Sequence, residues 1–489
     1  MNKKQLLTLA TAAMFCVSPA FAITEYWVAT NGSDENPGTQ DKPFEHPEMA
    51  IAAVLPNEET IIHLQKDATF RMAGQLDLGN NKICTVEGDN TTLLGAEKPG
   101  NQGGEAVRIF RAADGSKVTV RGINFENGRQ VEYVLGGAIY FAGDELNVEN
   151  CRFINNEAGS AGAGIGSRGR VVRVKNCYFE GNYTIGGGSR GACIMQRGTA
   201  NMDGELYVDN CTFYKNDMTN GGQGICIAIY DPSNQPGVNF TGTKKVVVTN
   251  STFVSNTSNY SYQGCIDVSE GGACATYLVN NTFYDNDGAL RFDFQDGAPI
   301  CMFNNFVYAN RAAIFSERSV KETERQSITA RNNILYGAER AVNEFIDDAD
   351  LNANAAACHN TLGLCKDATM VGLGVSTSLS TNQGGFVPYL PILRENSPLV
   401  NAGIENSAEW TDGENFIPAT DCRGYAAKGT KDIGAYEYGT AGVQSVAADF
   451  EADPNAPVEY FNLQGIRVAN PENGIFIRRQ GNKATKVRL

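Results

Sequence analysis

Apolar and polar residues alternate along most of the chain, and one short signature interrupts the alternation again and again. An alternating run ends in Asn, a small or polar residue follows, an aromatic or aliphatic residue comes next but one, and a second Asn usually stands three further on. The copies are Asn150-Cys151-x-Phe153-x-x-Asn156, Asn176-Cys177-x-Phe179-x-x-Asn182, Asn210-Cys211-x-Phe213-x-x-Asn216, Asn250-Ser251-x-Phe253-x-x-Asn256 and Asn280-Asn281-x-Phe283-x-x-Asn286. Shorter forms follow at Asn304-Asn305-x-Val307 and Asn332-Asn333-x-Leu335, and a degenerate one precedes them at Gly122-x-x-Phe125. Successive copies start 28, 26, 34, 40, 30, 24 and 28 residues apart. A second pattern, a small residue followed by an aliphatic one, keeps step with the first: Ala138-Ile139, Gly164-Ile165, Cys193-Ile194, Cys226-Ile227, Cys265-Ile266, Ala289-Leu290, Ala313-Ile314 and Ala341-Val342. Units this short cannot each enclose a core. Period-two strands separated by Gly and Asn turns instead predict stacked coils, each burying its inward side chains on the next. The expected fold is all-β, a parallel β-helix. At a strand spacing of about 4.8 Å, eight rungs span roughly 38 Å.

The composition agrees with that reading. The 489 residues include 53 Gly and 47 Asn, with no Gly-X-Y period and 16 Pro, so a collagen-like or Pro-rich chain is excluded. Both residues tolerate positive φ, and an Asn repeated once per rung can bond its amide to the Asn above, forming a ladder. The repeat also absorbs the length, which would otherwise suggest several domains. Cys151, Cys177 and Cys211 fall in one column, and Cys193, Cys226 and Cys265 in another. Bridges between stacked rungs would be strained, so buried reduced thiols are expected there. Cys358 and Cys365 are the best disulfide candidates, with Cys422 left open. The three histidines, His46, His63 and His359, are far apart in sequence, which argues against a zinc site or a Ser-His-Asp triad. A net charge of −15 excludes nucleic-acid binding through bulk positive charge, and 42% hydrophobic residues exclude wholesale disorder.

At the N-terminus, Lys3 and Lys4 precede the apolar run Leu6 to Val17, and Ala20-Phe21-Ala22 reads as a cleavage site, so residues 1–22 are expected to be a secretory signal peptide. No other stretch is long and apolar enough for a spanning helix. Met49 to Val54 has helical spacing and is expected to cap the first open rung. The expected organisation is a signal peptide over 1–22, an N-terminal cap over 23–58, the β-helix over 59–345 and an irregular region closing it over 346–438. A linker over 439–457 and a small β segment over 458–489 complete it. From Glu459 to Leu489 the chain carries six basic and two acidic residues, against an acidic remainder.

Several of these motifs resemble a known family. Asn31-Gly32-Ser33-Asp34-x-Asn36-x-Gly38-Thr39 with Lys42-Pro43-Phe44 resembles the opening motif of secreted right-handed parallel β-helix proteins of the pectate-lyase-like superfamily, and the N-x-x-F-x-x-N rungs resemble that superfamily's repeats. Ser397 to Gly403 and Asp432 to Tyr438 resemble the end block of choice-of-anchor Q proteins. The last segment is similar to C-terminal sorting or anchoring segments of secreted Bacteroidetes proteins. The resemblance covers about residues 26–438. It implies a right-handed solenoid, secreted or at the cell surface, that cleaves or binds polysaccharide.

With the aliphatic residue of each pair turned inward, two columns are expected to face out. The first reads Tyr140, Gly166, Met195, Ala228, Asp267, Arg291, Phe315, Asn343, and the second Ala142, Arg168, Arg197, Tyr230, Ser269, Asp293, Glu317, Phe345. The family resemblance implies that a lyase would use an Arg as base and Asp/Glu oxygens to hold Ca²⁺ or substrate. Arg291 would then be the base and Asp267, Asp293 and Glu317 the metal or substrate ligands. Arg168, Arg197, Tyr230, Tyr140, Phe315 and Glu317 would line the substrate groove, its walls supplied by the long rungs between Asn176 and Asn250. No Lys falls on the two columns, so lyases with a Lys base are not matched. Alternatively, Asp267 and Asp293 act as acid and base of an inverting glycosidase, which wants a separation of about 6.5–9.5 Å. A non-catalytic, adhesin-like glycan binder remains the competing reading. Another Ca²⁺ site is conceivable in the block Asp34 to Asp41. No organic cofactor, no nucleic acid and no transmembrane segment are expected. The chain is expected to act as a monomer, with export or anchoring machinery engaging its C-terminal segment.

Overall fold

The computed structural model describes residues 23–439, apart from 133, 187–188, 198–202, 219–221, 231–243, 261–262, 271–273, 293–297, 317–318, 322–326, 343–359, 365–372, 377–379, 382–385, 388–389 and 405–415. It also describes 457–461, 468, 475–480 and 483–488. Two units are distinguished, Met1–Thr440 and Ala441–Leu489.

The first unit is a right-handed parallel β-helix. One rung runs through strands Glu145–Glu149, Arg152–Ile154, Glu157–Ala158 and Ile165–Ser167, and the next through Val171–Lys175, Tyr178–Glu180, Tyr183–Thr184 and Ile194–Gln196. Each strand pairs in parallel with its counterpart one rung on: Leu146 with Val172, Phe153 with Phe179, Glu157 with Tyr183, Ile165 with Ile194. Among the described residues this stacking gives one long parallel sheet of twenty strands, a second of ten and a third of five. A coil returning to a parallel strand in the same sheet is right-handed because of strand twist.

The repeated letters have distinct jobs. Asn150, Asn176, Asn210, Asn250, Asn280, Asn304 and Asn332 all take φ between 49 and 54°, turning the chain between two strands of the long sheet. Some of their side chains ladder, Asn210 Nδ2 donating to Asn176 Oδ1 at 2.8 Å, while Asn250 and Asn332 donate to Thr420 O and Ala402 O. The second Asn of the motif is buried. Asn182 Nδ2 donates to Phe153 O (2.9 Å) and to Asn216 Oδ1 (3.0 Å), and Asn216 repeats the pattern on Asn256. Between them Phe125, Phe153, Phe179, Phe213, Phe253 and Phe283 form one stack, with ring centroids 4.5–5.0 Å apart and planes within 9°. The Cys151, Cys177 and Cys211 column consists of buried free thiols whose pKa is pushed up by burial at the first two. From Ser251 onward the same column becomes another amide ladder, Asn281 to Asn305 to Asn333 to Asn360. Cys193, Cys226, Cys265 and Cys422 are also free and buried, while Cys358 and Cys365 lie outside the described residues.

At the N-terminus the helix Pro47–Ala53 buries Ala50 and Ile51 in the core that contains Ile62 and Leu76. The block at Ser397–Gly403 and Asp432–Tyr438 lies along the outside of the rungs. Asn304 Nδ2 donates to Ile404 O (2.8 Å), Gly434 N to Asn304 O (2.7 Å) and Ala435 N to Thr282 Oγ1 (2.9 Å). Leu399 and Ile433 pack on Phe306, Tyr308 and Ile334. The second unit has an antiparallel sheet of Val458–Phe461, Ile475–Gln480 and Lys483–Arg488. Among the described residues no helix is long and apolar enough to cross a membrane. Residues 1–22, including the expected signal peptide, lie outside the described residues.

Candidate functional site

The ten-stranded sheet carries the two columns. Its inward residues Ile139, Phe141, Ile227, Ile229, Ile266, Val268, Leu290 and Phe292 are buried, which sets the register expected from the small-aliphatic pairs. The first outward column departs from expectation. Met195, Ala228, Asp267, Arg291 and Phe315 are only 2–5% exposed, although they point away from the solenoid core. The turn before each strand folds back over the outer face of its own strand and of the next rung. Gly162, Gly191 and Gly224 reach this shape with φ of 60, 54 and 72°. A Cβ on Gly224 would lie 2.9 Å from Asp267 Cβ and 3.0 Å from Ala228 Cβ. Leu135, Ala161 and Met195 form an apolar cluster in this cover, with Tyr140 and Tyr230 packed against it.

Beneath that cover Arg291 Nη1 meets Asp267 Oδ2 at 2.9 Å, with side chains 6% and 3% exposed. The register makes the contact direct, since Asp267 and Arg291 are partners on adjacent strands. The residues expected as base and metal ligand thus neutralise each other inside the protein. Asp293 and Glu317 lie outside the described residues. A cation at Asp267 would have to sit beside a guanidinium, and among the described residues no group of three His, Cys, Asp or Glu side chains could hold a metal ion. In the N-terminal block Asp34 is occupied otherwise. Its Oδ1 accepts the amides of Glu45 and His46, and its Oδ2 meets His46 Nδ1 at 2.8 Å.

The second column behaves differently. Arg168, Arg197 and Tyr230 are half-buried at the ends of their strands, where Arg168 N donates to Phe141 O and Arg197 N to Ser167 O. The Arg197 guanidinium lies 5.3 Å from the centre of the Tyr230 ring and that of Arg190 lies 4.3 Å from the same ring. Arg108 covers Tyr140 at 5.2 Å, tied down by Gly136 O, Leu135 O and Gln75 Oε1. Burial, then the positive charge of Arg168 and more weakly that of Arg190, pulls the Arg197 pKa below the ordinary arginine value, against an opposing pull from Tyr230. Arg168 Nε is shielded from solvent without a hydrogen-bond partner. Among the described residues no carboxylate forms an ion pair with Arg168 or Arg197. The structure therefore brings Arg168, Arg197, Tyr230 and Tyr140 to one basic, aromatic face and seals Phe315 beneath the cover. Arg190 belongs to this face but precedes its pair Cys193-Ile194, and Arg108 lies a rung before the first pair, so a reading confined to residues after each pair missed them. The long-rung segments 198–202 and 231–243 lie outside the described residues.

No family model matches the chain, and no curated protein matches it. Among solved structures it is similar to a rhamnogalacturonan lyase, with 14% identity over 63% of this chain and 87% of that one and a TM-score of 0.33. It is also similar to the crystal structure of pectate lyase Pel9A, with 16% identity over 86% of this chain and 97% of that one and a TM-score of 0.46.

Proposed function

We propose that this protein is an exported β-helix that binds acidic polysaccharide along the face formed by Arg168, Arg190, Arg197, Tyr140 and Tyr230. The observation that carries the reading is the half-buried setting of Arg197 beside Arg168 and Arg190, its pKa lowered first by burial and then by the Arg168 charge, with no carboxylate from the described residues paired to Arg168 or Arg197. Like charges held together in a half-buried face cost free energy unless an anion joins them, and a uronate carboxylate matches the guanidinium fork. Tyr140 and Tyr230 hold the guanidinium groups of Arg108, Arg190 and Arg197 at this face through their rings. Residues 1–22 would direct export, and the basic strands after Pro457 would be the part read by export or anchoring machinery.

Binding is tested by affinity electrophoresis through gels of polygalacturonate, alginate and a neutral glucan. Retardation is expected on the acidic gels only, and Arg197→Gln should weaken it about 10-fold or more, as for loss of one charge-assisted hydrogen bond. Equal mobility on all gels would end the proposal.

One observation favours a second, catalytic reading. A base for C5 proton removal must be open to substrate, as half-buried Arg197 is, whereas Arg291 is sealed beneath the cover and committed to Asp267. In that reading Arg197 takes the proton, Arg168 and Arg190 neutralise the uronate carboxylate, the electron pair left at C5 forms the new double bond as the C4–O bond breaks, and the leaving oxygen keeps the C4–O pair and takes a proton from water. Ultraviolet absorbance of unsaturated ends, followed with Ca²⁺ and with chelator, separates this reading from binding alone.

A further inference from the structure

A second cavity lies on the five-stranded sheet. Strands Arg129–Gln130, Glu157–Ala158, Tyr183–Thr184, Asp217–Met218 and Thr257–Ser258 pair in parallel, placing Arg129, Glu157, Tyr183 and Asp217 in one outward column. Two residues further along the same face come Val131, Gly159 and Ile185, with Val131 43% and Ile185 38% exposed. Over this column folds the excursion that contains the short 3-10 turn Gly100–Gln102. Asn101 N donates to Tyr183 Oη at 2.6 Å, and Arg129 Nη1 donates to Gly104 O. Glu157, 1% exposed, joins the two anchors. It accepts from Arg129 Nε at 3.0 Å and from the Tyr183 hydroxyl. Burying a carboxylate costs several kcal/mol unless it is fully paired. Here both partners also hold the excursion, so the network fixes it as a wall. Between wall and sheet is an open cavity of about 480 Å³, at whose far side stand Asn155, Ile185, Lys215 and Asp217.

We propose that this cavity binds a neutral sugar, the end or a short stretch of an uncharged oligosaccharide. Lys215 and Arg129 balance Asp217 and Glu157, so the cavity has no net attraction for an anion or a cation. Its amide, ammonium and carboxylate groups suit paired donation and acceptance at vicinal hydroxyls. Ile185 supplies the apolar patch that the C–H face of a pyranose needs, beside polar groups that can orient its hydroxyls. The site lies on a different sheet from the arginine face and has the opposite selectivity, so it stands or falls independently of the acidic-glycan reading.

The test uses the full chain and the pentaoses of β-1,4-linked glucose, xylose and mannose and of α-1,4-linked glucose, with saturation-transfer NMR and calorimetry. At least one neutral pentaose should bind. Asp217→Ala should weaken it 10-fold or more. Ile185→Asp, at an exposed position that leaves the melting temperature unchanged, should remove the saturation transfer, whereas Arg197→Gln should leave it intact. No binding by any pentaose overturns the proposal, as does binding that survives both cavity substitutions. Binding that disappears with Arg197→Gln also overturns it and assigns the sugar to the other face. Binding of unstructured polar peptides in place of every sugar would assign the cavity to a protein partner and overturn it equally.

Discussion

Replacing Arg291 by Ala separates structural from catalytic roles for the pair at the centre of the ten-stranded sheet. Its guanidinium lies 2.9 Å from Asp267, and both side chains are almost wholly enclosed. Removing it takes the guanidinium away from a buried carboxylate beneath the Gly224 turn, and breaking a buried pair in this way costs about 3–5 kcal/mol. Replacing both residues, Asp267→Leu with Arg291→Met, removes both buried charges and should restore most of that loss, since apolar replacement of an entire buried pair is often neutral. Solenoids open locally, so native-state hydrogen exchange at the amides of Ile266 and Leu290 is the suitable assay, supported by urea midpoints. The expected pattern is strongly accelerated exchange in the single variant and near-native exchange in the double one. If Arg291→Ala changed local stability by less than about 1 kcal/mol yet abolished turnover of an acidic glycan, the pair would be catalytic and the structural account wrong.

Asn216→Ala should cost roughly 2–4 kcal/mol. It removes two bonds that Asn216 accepts from Asn182 and two that it donates, to Phe179 O and Asn256 Oδ1, and leaves buried groups unpaired. Urea denaturation checks this, with the half-exposed Asn147→Ala as the control. In the end block burial lifts the Glu437 carboxyl to about 7, against the partial opposition of the Asp432 amide. Because the folded carboxyl binds protons more tightly than a free glutamate at 4.5, stability is fully present below about pH 4.5 and is lost as pH rises through 7, by up to roughly 3 kcal/mol. Asp432, also raised by burial, acts in the same direction. Limited proteolysis of the end block should therefore be faster at pH 8 than at pH 5, and Glu437→Gln should flatten the difference; a flat native profile would contradict the assignment.

The solenoid was legible because its signal is repeated. An Asn at φ near 53° and a Phe stacked at 4.5–5.0 Å recur on rung after rung, so each copy checks the others. Residue identity on the second outward column was equally legible, and its Arg168, Arg197 and Tyr230 do come together, with Tyr140 of the first column beside them. Burial of the first column was not, because its cover comes from turn residues before the aliphatic pair, where Leu135, Ala161 and Arg190 share a register but not a letter. The second cavity escaped for the same reason. Arg129, Glu157, Tyr183 and Asp217 occupy one structural position with four different side chains. Only alignment on the preceding Gly128, Asn156, Asn182 and Asn216 would have put them in a column.

This division of labour has a physical basis. Core amides and rings must match the rung above, so the Asn and Phe columns tolerate little variation. Outward positions after each ladder residue carry no such constraint and can differ from rung to rung without disturbing the stack. Distinct chemistry can therefore accumulate on separate sheets of one solenoid, basic and aromatic on one, charge-balanced on another. The net charge of −15 sharpens the first of these. Most of the surface repels an acidic polymer within a Debye length of about 8 Å at physiological salt. In the proposed binding mode the arginine face would be the place where such a polymer gains more from close contact than it loses on approach, so selectivity would arise from the acidic surroundings as much as from the arginines themselves.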